Sequence, residues 1–500
     1  MNKVVAGVAV LAVVAGGSVG VAAWSGPKVA TELQEHTAKW LQLFPGVKVL
    51  DQHVTTGLLS STHEVTVQLG CEPPAAAASG ASAGDAAAEP VKITWRDHIQ
   101  HGPFPGARSV GLAAIDSELV LPPKAAAELA KLLGNQPAFR ARTVLGFGGG
   151  YVSDISSPAF KYAEDGKGDV EWKGLNLVVR GSLKGGLAAG ATYAMDAPGL
   201  LFTLKQAEGP ATTVKVGAFN MKGELLPNPE PSLWMSPHKG TATLSGVEFS
   251  TRRPGADAAA KPLDIVFDGF QFSGESTLDK GLMSSVSKFS VKGRIDDFNV
   301  DKLEMQQSLH RVHAATYQQM MSRVFGQALS CDKPADPLAI QMAAMEEMQK
   351  TMVALLRYDP EYALDKLSID LGGQHAELSY SVGARGVTEA DGALPASQLM
   401  MTKGYANAAV KVQMGWIEQI AKKVAGMNAA GGPAGADPAT AQQAAQTQIM
   451  AMANMLIDDF AGKGFVVRDG DSVKAAAKFE AGQLQVNDKP MPLPPMMGAQ

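Results

Sequence analysis

Methionine is the residue type that most clearly suggests a binding surface in this sequence. Fourteen of the 22 methionines fall between residues 300 and 460. Methionine side chains are unbranched and polarizable, so proteins use them on surfaces that accept varied apolar partners. One interpretation is a groove for an acyl chain or an apolar peptide; the other is a core packed with methionine. The candidate groove residues are Met342, Met345, Met348, Met352, Met414, Met452 and Met455.

Histidine pairs offer little support for a metal site. His98 and His101 are three apart in a predicted strand, where such side chains point to opposite faces. His310 and His313 lie on a predicted helix with the i, i+3 spacing of two metal ligands, but the sequence offers only speculative third and fourth ligands. We therefore expect no metal and no cofactor.

The only cysteines are Cys71 and Cys331. An oxidising compartment would permit one disulfide between them, and its long loop would give it a substantial effect on the unfolded chain. The sequence does not show that the two thiols meet, so the pairing stays open. Neither thiol belongs to a C-x-x-C motif, which argues against redox work and a cysteine-rich zinc site.

Acidic and hydroxyl side chains give no catalytic pattern. The pairs Glu346-Glu347 and Asp458-Asp459 are adjacent on predicted helices, so their members do not face one another. Ser60-Ser61 has no neighbouring histidine or aspartate that would activate a nucleophile. We therefore expect that the chain is not an enzyme.

The opening segment Val4–Trp24 contains no charged residue. As a helix it would be about 32 Å long at ~1.5 Å per residue, enough for a hydrocarbon core of ~30 Å. It is either an uncleaved membrane anchor, which we favour, or a cleaved signal peptide. Both alternatives place residues 25–500 outside the cytosol.

The overall charge excludes some partners. The formal net charge is −5 at pH 7 and the sequence pI is about 6.0. Nucleic-acid-binding proteins need a basic surface to neutralise phosphates, so we expect no nucleic-acid partner.

Period-two alternation dominates the first half of the chain, and glycine, proline, asparagine and aspartate separate the runs. Because few helices intervene, neighbouring strands should pair antiparallel, with one face buried and one polar. The predicted strands are Thr62–Leu69, Val91–Ile99, Val170–Arg180, Thr241–Phe249, Leu263–Phe272 and Ser287–Ile295.

Helical periodicity increases after Asp301. The predicted helices are Thr31–Phe44, Pro123–Leu133, Lys302–Gln327, Pro337–Leu356, Ser397–Met427 and Ala439–Lys463. A hairpin of Leu367–Leu371 with Ala376–Val382 interrupts them, and the strands Ser472–Phe479 and Gln483–Val486 follow.

These patterns predict an α+β fold: a long, twisted or curved antiparallel β-meander with a helix-rich C-terminal half packed against it, and an N-terminal transmembrane helix. The expected organisation is 1–24 membrane anchor or signal peptide, 25–300 β-rich region with a disordered insert 72–90, 301–464 helix-rich region with β-hairpin 364–382 and a flexible insert 429–446, 465–490 C-terminal β-hairpin, and 491–500 tail.

Several short phrases occur in an order that resembles the YdgA-like family of bacterial envelope proteins, a domain of unknown function (945). They are Gly57–Ser61, His101–Phe104, Trp172–Leu175, Asp359-Pro360, Gly372-Gly373 and Gly482–Asn487. The resemblance covers roughly residues 1–490. It implies a single-pass bacterial inner-membrane protein with a large β-rich portion in the periplasm, and it brings no catalytic residues.

Three functions remain as hypotheses. The favoured one is a non-enzymatic scaffold or interaction module, anchored in the inner membrane through residues 4–24, with an envelope protein as its partner. The alternative is a protein that binds or transfers a lipid in the methionine-lined groove. An envelope hydrolase is the third.

Overall fold

The computed structural model describes residues 41, 47–57, 59–69, 91–102, 104–134, 136–182, 190–205, 211–228, 235–252, 261–296, 298–329, 349–429 and 438–492. These residues form a large antiparallel β-meander with six helices. The predicted meander is thereby confirmed.

The strands are β1 Val47–Thr56, β2 Ser60–Leu69, β3 Val91–His101, β4 Ala113–Val120, β5 Arg140–Leu145, β6 Gly150–Ser157, β7 Phe160–Glu164, β8 Gly168–Trp172, β9 Leu175–Ser182, β10 Ala191–Ala197, β11 Leu200–Leu204, β12 Thr212–Val216, β13 Phe219–Leu225, β14 His238–Thr251, β15 Leu263–Asp279, β16 Leu282–Ile295, β17 Phe298–His313, β18 Glu361–Leu371, β19 Gln374–Ala384, β20 Gly404–Gln413, β21 Val467–Asp469, β22 Ser472–Glu480, β23 Gln483–Val486 and β24 Lys489–Met491.

The helices are α1 Pro123–Leu133, α2 Ala314–Leu329, α3 349–356, α4 Ala396–Lys403, α5 Met414–Ala429 and α6 Pro438–Gly462, with short 3-10 turns at Pro105–Ala107 and Glu389–Ala393. In the part of the chain that the structure describes, no helix is both long and apolar enough to cross a membrane. The predicted anchor lies outside the described residues.

The chain divides into two compact units. The first contains Met1–Leu204, Gly217–Ala242 and Ala315–Ala344, and the second contains Lys205–Val216, Thr243–Ala314 and Met345–Gln500. In the first unit, antiparallel pairing runs through β1, β2, β3, β4, β5, β6, β9, β10 and β13. A smaller ladder joins β7, β8 and β11.

The core of the first unit lies on one face of this ladder. Side chains alternate between the faces of a strand, so every second residue of β2 and β3 is buried. Ile99 and Leu145 are fully buried in one apolar cluster. In a second cluster the Trp95 ring lies 5.8 Å from the Phe139 ring. Burial of this face is what fixes the register of the strands.

The second unit contains a ladder of similar length. Pairing runs through β15, β16, β17, β18, β19, β20, β22, β23 and β24, with β21 beside β22. Its two faces differ in character. Directly opposed residues point to the same side, which places Phe289, Met305, Leu367, Leu378 and Val410 together on an apolar face.

Several sequence predictions are confirmed. Helix α1 has the predicted limits, Pro123–Leu133, and α6 is close to the predicted Ala439–Lys463. The hairpin of β18 with β19 is also present, although each strand is longer than predicted.

The helix predicted over Lys302–Gln327 is wrong in its first half. Strand β17 continues to His313, and α2 begins only at Ala314. The segment alternates Leu303 and Met305 with Glu304 and Gln306, and it pairs with strands on both sides. Hydrogen bonding to two neighbours outweighs the modest helix preference of these residues.

The single helix predicted over Ser397–Met427 is also wrong. It is two helices, α4 and α5, separated by strand β20. Likewise, the predicted strand Val170–Arg180 is divided between β8 and β9, because Gly174 has a φ of +93° that turns the chain.

The C-terminal half is therefore a mixture of strands and helices rather than helix-rich throughout. Residues 438–446, expected in a flexible insert, begin helix α6. The insert 72–90, and the predicted helix Thr31–Phe44 apart from the helical residue Leu41, lie outside the described residues.

Candidate functional site

The candidate site is a groove of about 460 Å³ on the second unit. It crosses β18, β19, β20, β22 and β23, which is about 19 Å at 4.7–4.9 Å between strands. Its lining residues are Ala363, Asp365, Ser379, Ser381, Asn407, Ala409, Ala476, Lys478, Gln485 and Asp488, together with Leu364, Tyr380, Ala408 and Ala477, whose side chains point to the opposite face by strand alternation, so that they border the groove with their backbone. We call this site the polar groove.

Strand register places the polar side chains of the groove on one face. Ser381 is opposite Asn407, which is opposite Lys478, which is opposite Gln485. Two residues away along each strand, Ser379, Ala409 and Ala476 form a parallel row on the same face. This face is opposite to the apolar face, because alternate residues point in opposite directions.

Small side chains explain why a depression forms here. Toward Gln374, the first residue of β19, the next row on this face is Glu377, Lys411 and Lys474, whose side chains are long and charged. The side chains of Ser379, Ala409 and Ala476 are much shorter than these. The groove is therefore a line of small residues beside a raised charged border.

Hydroxyl and amide groups inside the groove can both donate and accept hydrogen bonds. The Asn407 amide donates to Ser381 Oγ at 3.2 Å. Asn407 and Ala409 are exposed, so this wall is open to solvent. Lys478 Nζ is 2.9 Å from Glu480 Oε2, and this ion pair lowers the pKa of the Glu480 carboxyl.

A β-bulge positions the carboxylate at one end of the groove. Register shifts on both sides of β18 leave Asp365 as the extra residue. Ser308 Oγ donates to Asp365 Oδ1 at 3.1 Å, and the Gln306 amide donates to Oδ2 at 3.5 Å. These hydrogen bonds hold Asp365 on the groove face, although it is the extra residue that has no partner in the strand pairing.

A charged cluster lies on the same face, near the turn between β18 and β19. His375 Nδ1 is 2.6 Å from Asp370 Oδ1, and His375 Nε2 is 3.2 Å from Glu377 Oε2. The hydrogen bond to Asp370 is the main cause that raises the pKa of His375, with Glu377 adding to it and partial burial opposing it. Two carboxylates thus favour the doubly protonated ring.

The first unit contains a histidine–carboxylate pair of a different kind. His63 and Asp97 are 1% and 2% exposed. Asp97 accepts hydrogen bonds from His63 Nδ1 at 3.0 Å, from Trp95 Nε1 at 2.6 Å and from Ser117 Oγ at 2.5 Å. Gln52 Nε2 is 3.1 Å from His63 Nε2. Because the Gln52 amide occupies Nε2, where a serine nucleophile would have to lie, this network satisfies buried polar groups and cannot reach a substrate.

Residues 1–494 match the family described as a bacterial protein of unknown function, DUF945. The chain belongs to this family. The match confirms the domain of unknown function to which the sequence phrases pointed. No curated protein and no solved structure matches the chain.

The described candidates for the predicted methionine groove lie on three helices of the DUF945 chain. Met352 on α3 is 44% exposed, and Met452 and Met455 on α6 are 55% and 64% exposed. Met414 is the partly buried first residue of α5. The remaining candidates, Met342, Met345 and Met348, lie outside the described residues, as do Cys71 and Cys331.

His310 and His313 are not placed where the sequence predicted. His310 and His313 lie on strand β17 and not on the predicted helix, and a β-bulge that includes Arg311, whose φ is +56°, separates them. The His313 ring stacks on Tyr358 with centroids 4.2 Å apart. Among the described residues, no histidine, cysteine and carboxylate group has the arrangement of a metal site.

The polar groove is not evident from the sequence alone. Its signal was the run of small residues in β20 and β22, Ala408-Ala409 and Ala475–Ala477, within strands that also carry lysine. Alanine is poor evidence of a strand, so these runs favoured a helical interpretation of β20 at the level of sequence.

We expect replacement of Asp97 by alanine to destabilise the first unit strongly. The change leaves His63, Trp95 and Ser117 donors without their acceptor, and each buried unsatisfied group costs about 1–3 kcal/mol. Urea unfolding should show a lower midpoint. Asp51→Ala is the matched control, because Asp51 pairs with His53 at an exposed site of the same unit and its loss should cost at most about 1 kcal/mol. Equal losses in both variants would contradict the role of Asp97.

We expect His375→Gln to reduce stability in a pH-dependent way. The pKa of His375 in the folded chain is raised above its usual value of 6.5. Its stabilising contribution is therefore complete below about pH 6.5 and disappears as the pH rises through the folded value. Thermal unfolding should show the largest difference from the natural chain below that pH. Asp370→Asn should remove most of the same difference, and a constant difference across pH would refute the assignment.

Proposed function

We propose that this DUF945 protein is a non-enzymatic scaffold or interaction module of the bacterial envelope, anchored in the inner membrane with most of its chain in the periplasm. The uncharged segment Val4–Trp24 supports the anchor, since it is long enough to span a hydrocarbon core. A domain that follows such a segment is exported with it, and its partners are then other proteins of the envelope.

The polar groove carries the proposal of partner binding. An extended peptide rises 3.2–3.4 Å per residue, so about six residues would fill a groove of about 19 Å. The small floor of Ser379, Ala409 and Ala476 lets a peptide backbone approach closely. The hydroxyl and amide groups of Ser381, Asn407 and others can pair with its N–H and C=O groups.

Charged side chains at the two ends of the groove would orient a bound peptide. The bulge carboxylate of Asp365 lies on β18, and Lys478 and Asp488 lie at the opposite side, on β22 and after β23. A peptide with a basic residue at the Asp365 end would gain a charge-assisted hydrogen bond. Such complementary charges favour one orientation and contribute more to specificity than to affinity.

A hydrophobic ligand is the second candidate, and the apolar face of the same ladder favours it. Tyr380 and Val410 on that face are 39% and 37% exposed. The methionine groove is not the site of this proposal, because the described candidates Met352, Met452 and Met455 are spread over the exposed surfaces of two helices.

We do not propose a hydrolase. The buried histidine–carboxylate pair, His63 with Asp97, is enclosed in the core of the first unit. A catalytic base must come within hydrogen-bond reach of its substrate, and this pair is sealed from solvent.

Bulky substitution of the groove floor tests the function. We expect Ala409→Trp to abolish the recovery of a stoichiometric envelope protein when the full chain is purified natively from membranes and analysed by mass spectrometry. Ala408→Trp is the matched change on the opposite face. Circular dichroism should show that both variants fold. Equal recovery with both, or no stoichiometric partner with the natural chain, would contradict binding in the polar groove.

The proposed location has its own test. We expect the full-length chain to sediment with inner membranes, and protease added to spheroplasts to digest the part after residue 24. The result follows because a single N-terminal span leaves the rest of the chain on one side of the bilayer. Recovery of an intact, protease-protected chain from the cytosol would refute the proposed location.

A further inference from the structure

The apolar face of the second unit is open at its centre and covered at both ends. Along β20, Gly404 is buried and Ala406 is half-buried. Ala408 and Val410 are exposed, and Val412 is half-buried again. A sheet face that packs on a core normally stays buried along the strand, so the exposed centre needs an explanation.

Different helices cover the two ends of this face. At one end, Lys423 of α5 lies 5.6 Å above the Phe298 ring. At the other end, Val353 of α3 and Leu399 of α4 pack with Ala384 of β19 in a buried cluster. The open strip therefore lies between two helical covers within the second unit. We call it the apolar slot, formed by Phe289, Met305, Leu367, Leu378, Tyr380, Ala408 and Val410.

The floor of the slot is uncharged across several strands. Phe289, Met305, Leu367, Leu378 and Val410 are opposed in turn on five neighbouring strands. At 4.7–4.9 Å per strand the row is about 19 Å long. At the border of the slot, the Tyr362 hydroxyl donates to Gln307 Oε1 at 3.2 Å, which leaves polar groups beside the apolar floor.

We propose that the apolar slot holds an acyl chain of a membrane phospholipid, an inference that rests on the proposed location beside the inner membrane. A hydrocarbon core of ~30 Å contains two leaflets, so one acyl chain is about 15 Å long and fits the row. Hydrocarbon has no groups that need hydrogen bonds. An extended peptide would place polar backbone groups against a floor that offers them no hydrogen-bond partner, which favours lipid over peptide.

The slot and the polar groove occupy opposite faces of the same strands. Ala408 points into the slot and Ala409 into the groove, and both are exposed. The sheet is therefore a single layer at this place, with solvent on both of its faces. Adjacent residues of β20 can be changed to test each face separately.

The experiment uses the full-length protein in vesicles of phosphatidylethanolamine and phosphatidylglycerol that contain a phospholipid with a photoreactive acyl chain. After irradiation, labelled peptides are identified by mass spectrometry. We expect labelling within β18, β19 and β20. Ala408→Trp fills the slot and should lower labelling at least about tenfold, equivalent to 1.4 kcal/mol of binding free energy. Lys411→Trp, on the polar face and outside both sites, should leave it unchanged.

Two further variants separate the outcomes. Val410→Asp places a carboxylate at an already exposed position and should also reduce labelling, so the test survives if Ala408→Trp fails to fold. Ala409→Trp should keep the lipid label while it loses the protein partner, which distinguishes failure of the slot from failure of the groove. Labelling absent from these strands, labelling unchanged by Ala408→Trp and Val410→Asp, or a protein captured at the slot instead of lipid would overturn the proposal.

Discussion

Antiparallel pairing of consecutive long strands is the constraint on which the rest of this structure depends. Once β19, β20 and β22 are paired in register, the face of every side chain is fixed, because neighbours along a strand point in opposite directions. The polar groove and the apolar slot are two consequences of this single ladder. A slip of one residue in β20 would exchange Ala408 with Ala409 and move Val410 to the charged face.

The two units protect their ladders in different ways. In the first unit, one face carries apolar clusters around Trp95 and Ile99, and a polar network is enclosed among them. Because Asp97 accepts three hydrogen bonds from three strand residues, only one register satisfies the network. Burial supplies the free energy in this unit, and the buried carboxylate makes the alignment of β2, β3 and β4 specific.

In the second unit, the polar face is organised by ion pairs within and between strands. Lys302 Nζ, on the same strand as Glu304, is 2.5 Å from Glu304 Oε1, and Lys366 Nζ, on the neighbouring strand, is 2.8 Å from Glu304 Oε2. Both ammonium groups lower the pKa of Glu304. Such exposed pairs contribute little stability individually. Their effect is to keep a broad sheet face hydrated and to discourage association with other sheets. The groove is the place where this charged pattern is replaced by serine, asparagine and alanine.

The sequence by itself determined the meander, most strand positions and helix α1, because period-two alternation and turn residues are local signals. It also determined that the chain belongs to its family. It misplaced the predicted helix Lys302–Gln327 at its start and the predicted helix Ser397–Met427 at its centre, where residues such as Glu304, Met305 and Ala409 favour a helix locally. Only pairing with strands distant in sequence makes these segments β17 and β20, and a local pattern cannot report such partners. The groove and the slot were decided by tertiary structure for the same reason. Each site gathers side chains that are more than a hundred residues apart in the sequence. Strand register alone places the side chains of each site on one face.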